Sequence, residues 1–131
     1  MHSICPVTVQ IKGDRAVSES TGSILARFDH EGSEYDCTSY ARFISRLERV
    51  EGQWKILTLE VIYEKDMIHP VKPEGFLKTF NLDDKARPSY RCLAWLLVQK
   101  GFQIDQSLPG ADIPSSGEAL LNDCYNWLQS I

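Results

Sequence analysis

From His2 to Asp66 the chain alternates apolar and polar residues with a period of two, with Val7, Val9 and Ile11 marking one face of the first segment. Three turn signals divide this stretch, at Gly13-Asp14, Glu31-Gly32 and Glu51-Gly52. Alternation bounded by glycine-containing turns reads as antiparallel strands, here over about 2–12, 15–29, 34–50 and 53–65. The middle segments far exceed the ~5–6 residues of a typical strand. Long antiparallel strands twist and coil, so the pattern predicts a curved sheet with a pocket-forming face. Pro70, Pro73, Gly75 and the polar run from Asn81 to Asp84 then break the period and predict a connector over 67–86. Beyond it the period becomes helical. Tyr90, Leu93, Ala94 and Leu97 fall on one stripe, with Pro88 near the first turn and Gly101 past the end. Ser115 and Glu118 have capping-box spacing ahead of Leu121, Cys124, Tyr125 and Leu128. Between the helices, QSLPGADIP reads as a loop turning at Pro109-Gly110. Strands followed by helices predict an α+β domain.

Both predicted helices hold more apolar residues than one stripe needs: Leu93, Trp95, Leu96 and Leu97 in the first, Leu121, Tyr125, Trp127 and Leu128 in the second. Such helices are expected to be sandwiched or to sit at an interface.

The 131 residues fit one domain spanning 1–131, divided into a sheet meander (1–66), a connector (67–86) and a helical tail (87–131). With 43% hydrophobic and 24% charged residues, the composition is that of a soluble globular protein. No apolar run approaches the ~20 residues that span a bilayer, and no signal-peptide pattern precedes the first strand; a cytoplasmic location and no membrane partner are expected. A net charge of −4 argues against nucleic acid as the partner. Arg42, Arg46 and Arg49 cluster, but Glu34, Glu48 and Glu51 lie among them, as on a solvated, ion-paired face. Cys5, Cys37, Cys92 and Cys124 show no CxxC pair, so buried thiols rather than zinc ligands are expected. The absence of GxGxxG, GxxxxGK[ST] and GxSxG leaves dinucleotide, P-loop and hydrolase-elbow chemistry without support. No cofactor and no metal are expected.

The strings HSICPVTVQIKGDRAVSES, TSYARFISRLERVEGQWKI and VIYEKDMIHPVKP resemble the SnoaL-like branch of the nuclear transport factor 2-like superfamily, in particular its polyketide cyclase, dehydratase and isomerase members. The tail PSYRCLAWLLVQKGFQIDQSLPGADIP resembles the extension on filamentous-fungal members. The resemblance implies a cone-shaped fold in which a bent sheet wraps an apolar pocket, and a cofactor-independent proton transfer by a His–Asp pair. His2 matches the family histidine when Gly13-Asp14 is aligned on the following turn. The family's Asp comes from N-terminal helices, and for their expected absence here three explanations are open: a truncated or misassigned start, tail helices that replace the cover, which is favoured, or a fold kept for binding; whether a carboxylate such as Glu19, Asp105 or Asp112 reaches His2 separates catalysis from binding. A general base of this kind needs a second group to fix its tautomer.

Matching the family's strands places Glu19, Thr21, Ser23, Leu25 and Arg27 on the inner face of the second strand, and Ser39, Ala41, Phe43 and Ser45 on that of the third. The catalytic candidates are therefore His2, Arg27 and Glu19: His2 for proton transfer, Arg27 to hold a developing oxyanion, and Glu19 as a base raised by apolar walls. Ser23, Leu25, Tyr40, Ala41, Arg42 and Phe43 are the substrate-binding candidates. Two readings stay open for the charged pair: Arg27 in solvent beside Asp29 and Glu31, and Glu19 as an outward strand charge. A bulge would shift the phase and bring Tyr40, Arg42 and Ile44 inward. Trp54, Tyr63, Trp95 and Trp127 are expected in the core or at its rim, His30 and His69 in solvated loops, and Glu60 is a weaker pocket candidate. Two functions compete. One is a lyase, isomerase or cyclase acting on a small hydrophobic polyketide, terpenoid or alkaloid intermediate of fungal specialised metabolism. The other is a non-catalytic binding or dimerisation module. A homodimer through the sheet is compatible with both.

Overall fold

The computed structural model describes residues 1–72, 80, 82–83 and 85–130. Strands β1 (His2–Lys12), β2 (Arg15–His30), β3 (Ser33–Val50) and β4 (Gln53–Pro70) form one antiparallel sheet in sequence order. A 3-10 turn (Pro88–Tyr90), α1 (Arg91–Gln99) and α2 (Pro114–Gln129) follow. The α+β arrangement and its turns are as the pattern predicts. At both Glu-Gly turns the two central residues have positive φ, 50° and 83° at Glu31-Gly32 and 53° and 76° at Glu51-Gly52, which matches the twist of the flanking strands. β4 outlasts its predicted end at residue 65 and stops at Pro70, so His69 is a strand residue rather than a loop residue. Of the predicted connector, Pro73, Gly75, Asn81 and Asp84 lie outside the described residues.

Directly opposed residues of antiparallel strands share a face, so the ladder sorts the core. Val17, Ile44 and Ile62 point to one face and pack with Cys124 and Leu128 of α2. Cys37 points to the other and packs with Cys92, Leu93 and Leu96 of α1. Ile24, Ala26, Phe28 and Ile68 join this second cluster. The two helices therefore cover opposite faces. They also cover opposite ends, since α1 sits over the β2–β3 turn end and α2 over the end where β1 meets β2. Burial holds the thiols of Cys37 and Cys92 at about 12, far above the range in which thiolates form.

Each helix borrows a cap from the sheet. No side chain of its own caps the start of α1; instead the Leu93 N–H donates to Asp66 Oδ2 at 2.8 Å. A register shift at Tyr40/Ala41, with Glu64 as the extra residue, gives Asp66 this aim. The capping box predicted at Ser115 and Glu118 does not form, because Pro114 begins α2 after Ile113 and no side chain caps that end. Proline at the first helical position needs no partner for an N–H it lacks. At the other end of α2, Lys12 Nζ donates to Gln129 O at 3.1 Å and Arg15 Nη1 to Trp127 O at 2.7 Å. Two cations from the β1–β2 hairpin thus meet the negative end of the helix.

The segment between the helices is more than a loop. Tyr63 N donates to Pro109 O at 3.0 Å and Ala111 N to Tyr63 O at 2.8 Å, so Gly110 forms a parallel bridge on the outer edge of β4. A Cβ on Gly110 would lie 2.6 Å from Asp112 Oδ1, which leaves no room for a larger residue. Asp112 accepts two bonds from Arg87, at 2.5 and 2.9 Å, and one from Ser89 at 2.7 Å. The side chains of the Arg87–Asp112 pair are 12% and 15% exposed. Hydrogen bonding by Arg87 holds the Asp112 carboxyl at about 2, against a burial effect that acts the other way.

Removing the borrowed cap by Asp66→Ala is expected to cost about 1 kcal/mol, within the range for lost caps, read as a lower denaturant midpoint at unchanged slope. Asp112→Asn removes charge from three hydrogen bonds and should cost about 1.5–3 kcal/mol. Because its folded pKa is depressed, Asp112 contributes its full stability above the ordinary 3.8 and loses it as pH falls toward about 2. The unmodified protein should therefore lose stability over that window more steeply than Asp112→Asn in pH-dependent denaturant titrations.

Candidate functional site

The strand ladder splits the expected site. His2 opposes Ile24, and Ala41 and Phe43 oppose Gly22 and Ser20, all on the α1 face. Glu19 opposes Ile44, Ser23 opposes Tyr40, Leu25 opposes Thr38 and Arg27 opposes Asp36, all on the α2 face. The expectation that Glu19, Ser23, Leu25 and Arg27 share a wall with Ala41 and Phe43 is therefore corrected. Paired strands fix the phase, and the ladder shows the alternative one for the third strand, with Ile44, Arg42 and Tyr40 beside Glu19, Thr21 and Ser23.

Each candidate has a definite environment. His2 is exposed, and its ring lies 6.5 Å from that of Phe43. The carboxylate sharing its row, Asp66, belongs to β4, three strand spacings or about 14 Å away, and is committed to α1. Asp112 is held by Arg87, and Asp105 accepts from Ser107. The tail therefore brings His2 no acid among the described residues. Arg27 is 60% exposed and forms a two-point pair with Asp36 at 2.9 and 3.1 Å, which raises Arg27 and lowers Asp36. It is the solvated ion pair of the open reading, though with Asp36 as partner rather than Asp29 or Glu31. Arg42 lies 3.3 Å from Glu64, and Lys65 stands over the Tyr40 ring at 5.4 Å. Leu25 is tied through its backbone to Met1 by two 2.8 Å bonds. Ser23 and Tyr40 join Ser3, Cys5, Thr21 and Glu64 around a shallow groove of about 310 Å3.

Glu19 accepts a short hydrogen bond from the Tyr125 hydroxyl of α2. Burial, then the neighbouring carboxylate, pushes the Tyr125 phenol up to about 12. Sequence spacing could not join residues 106 positions apart; only the packing of α2 on β2 does so. This contact fixes the helix rather than exposing a base. Tyr125→Phe leaves a half-buried carboxylate without its donor and should cost about 1–3 kcal/mol, whereas Glu19→Gln, which can still accept, should cost less. Thermal melts of both variants measure the difference.

The prominent unassigned feature is the part of the α1 face that α1 does not reach. Four rows cross the sheet there, meeting the α1 cluster only at Tyr63: Ile11, Ala16, Leu47, Ile56; Val9, Ser18, Ser45, Leu59; Pro6, Ser20, Phe43, Val61; and Ile4, Gly22, Ala41, Tyr63. None of these residues is charged. Small side chains along β2 form a low floor, with Phe43 and Ala16 sheltered at 4% and 3% exposure. Larger residues on the outer strands stand as walls, with Ile11 at 63%, Val9 at 57%, Ile56 at 62% and Leu59 at 54% exposure. The opposite face over the same rows carries Glu19, Arg42, Arg46 and Glu60. His2 and Phe43 lie at one end of this uncharged trough.

No protein-family model matches the chain. It is similar to Pea pathogenicity protein 2 of Fusarium vanettenii, 32% identical over 106 residues that make up 78% of this chain and 45% of that protein. It is also similar to a PEP2-like protein of the same fungus, 31% identical over 108 residues, again 78% of this chain and 45% of the relative. The chain therefore spans less than half the length of either fungal relative.

Proposed function

We propose that the chain acts as a non-catalytic assembly module whose uncharged sheet face pairs with the same face of a second copy. One observation carries this reading: four rows of residues without a charge, edged by exposed isoleucine, valine and leucine side chains, occupy one sheet face. Contiguous apolar surface of this kind marks an interaction site. A neutral surface meets its own copy without like-charge repulsion, which a charged face would not allow. The patch is four strands wide, about 19 Å, and about 25 Å long, so a pair of copies covers roughly 1,000 Å2, near the lower limit for a specific interface. Association of micromolar strength fits that area. A reducing, cytoplasmic setting, with Cys37, Cys92 and Cys124 kept as buried thiols, belongs to the same proposal.

The second reading, a cofactor-independent lyase or isomerase of fungal specialised metabolism with a cone-shaped SnoaL-like fold, is favoured by the position of the His2 ring against Phe43 at the end of that trough. It needs an acid for His2 that none of the described residues supplies.

Sedimentation at 1–100 μM, a span about the micromolar range expected here, tests the first reading. The unmodified chain should pass from monomer to dimer. Leu59→Glu and Ile11→Glu, which put a carboxylate in the trough, should each shift the midpoint more than tenfold, while Thr21→Glu on the opposite face should not. A chain that stays monomeric throughout, or a Leu59→Glu protein that dimerises unchanged, overturns the assembly reading.

A further inference from the structure

A second stripe of α1 turns toward a cleft, with Trp95 of that stripe also packed on the sheet's cluster. Arg91, Ala94, Trp95, Val98 and Gln99 are spaced one and two helical turns apart, and they line a cleft of about 530 Å3. Among the described residues, His30 and Glu31 of the β2–β3 turn, Asp83 and Ala86 ahead of the 3-10 turn, and Ile104 and Gln106 after α1 form its other walls. A cleft of this size suits a small organic ligand. It lies apart from the uncharged trough, and nothing proposed above uses it.

Its chemistry is uneven in a way that selects a ligand. Ala94, Trp95, Val98 and Ile104 make an apolar wall. The Trp95 indole is held edge-on by His30 at 5.3 Å and by Phe80 at 5.0 Å, and Phe28 lies 5.7 Å away. His30, expected in solvent, is instead part of this aromatic group. Arg91 is half-buried, and its hydrogen bond from Nη2 to Ala86 O is 3.4 Å long. Its Nε is buried without a partner, and no carboxylate pairs with it among the described residues. The two acids of the cleft among the described residues are themselves exposed: Glu31 stands 3.9 Å from His30 Nε2, and Asp83 accepts from the Lys85 N–H. Charges in water interact at about 1 kcal/mol at 4 Å, against about 4 kcal/mol where the effective dielectric constant is near 20. The half-buried guanidinium therefore outweighs the solvated acids at the cleft wall.

We propose that this cleft binds a small aromatic carboxylate, its acid group on Arg91 and its ring against Trp95. Arg91 offers the paired donors that a carboxylate accepts, and the Gln99 and Gln106 amides can serve a polar substituent on the ring.

Two-dimensional NMR of the full chain, titrated with 2-naphthoate and separately with neutral 2-naphthamide, tests this directly. Naphthoate should shift the Trp95 indole and Gln99 and Gln106 amide signals saturably. Naphthamide should bind at least ten times more weakly, as expected when a charged hydrogen-bonded partner is lost. Arg91→Gln should bring naphthoate down to the level of naphthamide. Absence of saturable shifts with 10 mM naphthoate, equal binding of acid and amide, or unchanged naphthoate affinity in Arg91→Gln each overturns the proposal. The acid–amide comparison uses the unmodified chain and stands if the variant does not fold.

Discussion

The rest of the molecule depends on where the chain crosses the edge of β4. Two backbone hydrogen bonds between Tyr63 and the segment Pro109–Ala111 carry the polypeptide from the α1 face to the α2 face, and the Arg87–Asp112 pair fastens that crossing to the turn that begins α1. A chain running straight from α1 into α2 on one face would have left Val17, Ile44 and Ile62 in water. Crossing gives each face one helix, and because the helices occupy opposite ends, each face also keeps an uncovered half. The uncharged trough is one of these halves and the hydroxyl-lined groove at Ser23 and Tyr40 is the other.

The caps follow the same logic. Neither helix carries its own N-terminal capping side chain, so their ends are stabilised by groups of the sheet: Asp66 at the start of α1, and Lys12 and Arg15 at the end of α2. Isolated short helices are marginal in water. These two form because strand residues placed by pairing reach their exposed backbone groups. Secondary structure here is thus a consequence of tertiary structure, and Glu19 with Tyr125 repeats the pattern on the side of α2.

Much of the architecture was legible in the sequence because it rests on local signals. Period-two alternation and the Glu-Gly turns gave all four strands, and Pro88 with Gly101 bracketed α1. What was not legible depends on distance or phase. The capping box at Ser115 and Glu118 was a sound local pattern overridden by Pro114. The candidate residues divide between the two faces for one reason: faces are decided by which residues oppose each other, and alternation within one strand does not show that. His2 and Phe43 do share a face, whereas Glu19 and Arg27 lie on the other, beside Tyr125 and Asp36. Trp95 and Arg91 could be read only as helix residues until the β2–β3 turn and the loop after α1 closed around them.

The sheet's two outer edges are unlike each other, and together they limit what its exposed apolar surface can do. The outer edge of β4 is interrupted at Tyr63 by the crossing segment, and β1 carries Pro6, which has no N–H to offer, next to a register shift at Val7. Strand-by-strand growth needs a long run of free donors and acceptors on both sides. Neither edge provides one along its whole length. These interruptions shorten the edges beside the exposed isoleucines and leucines, and so favour closed contacts between faces over growth strand by strand.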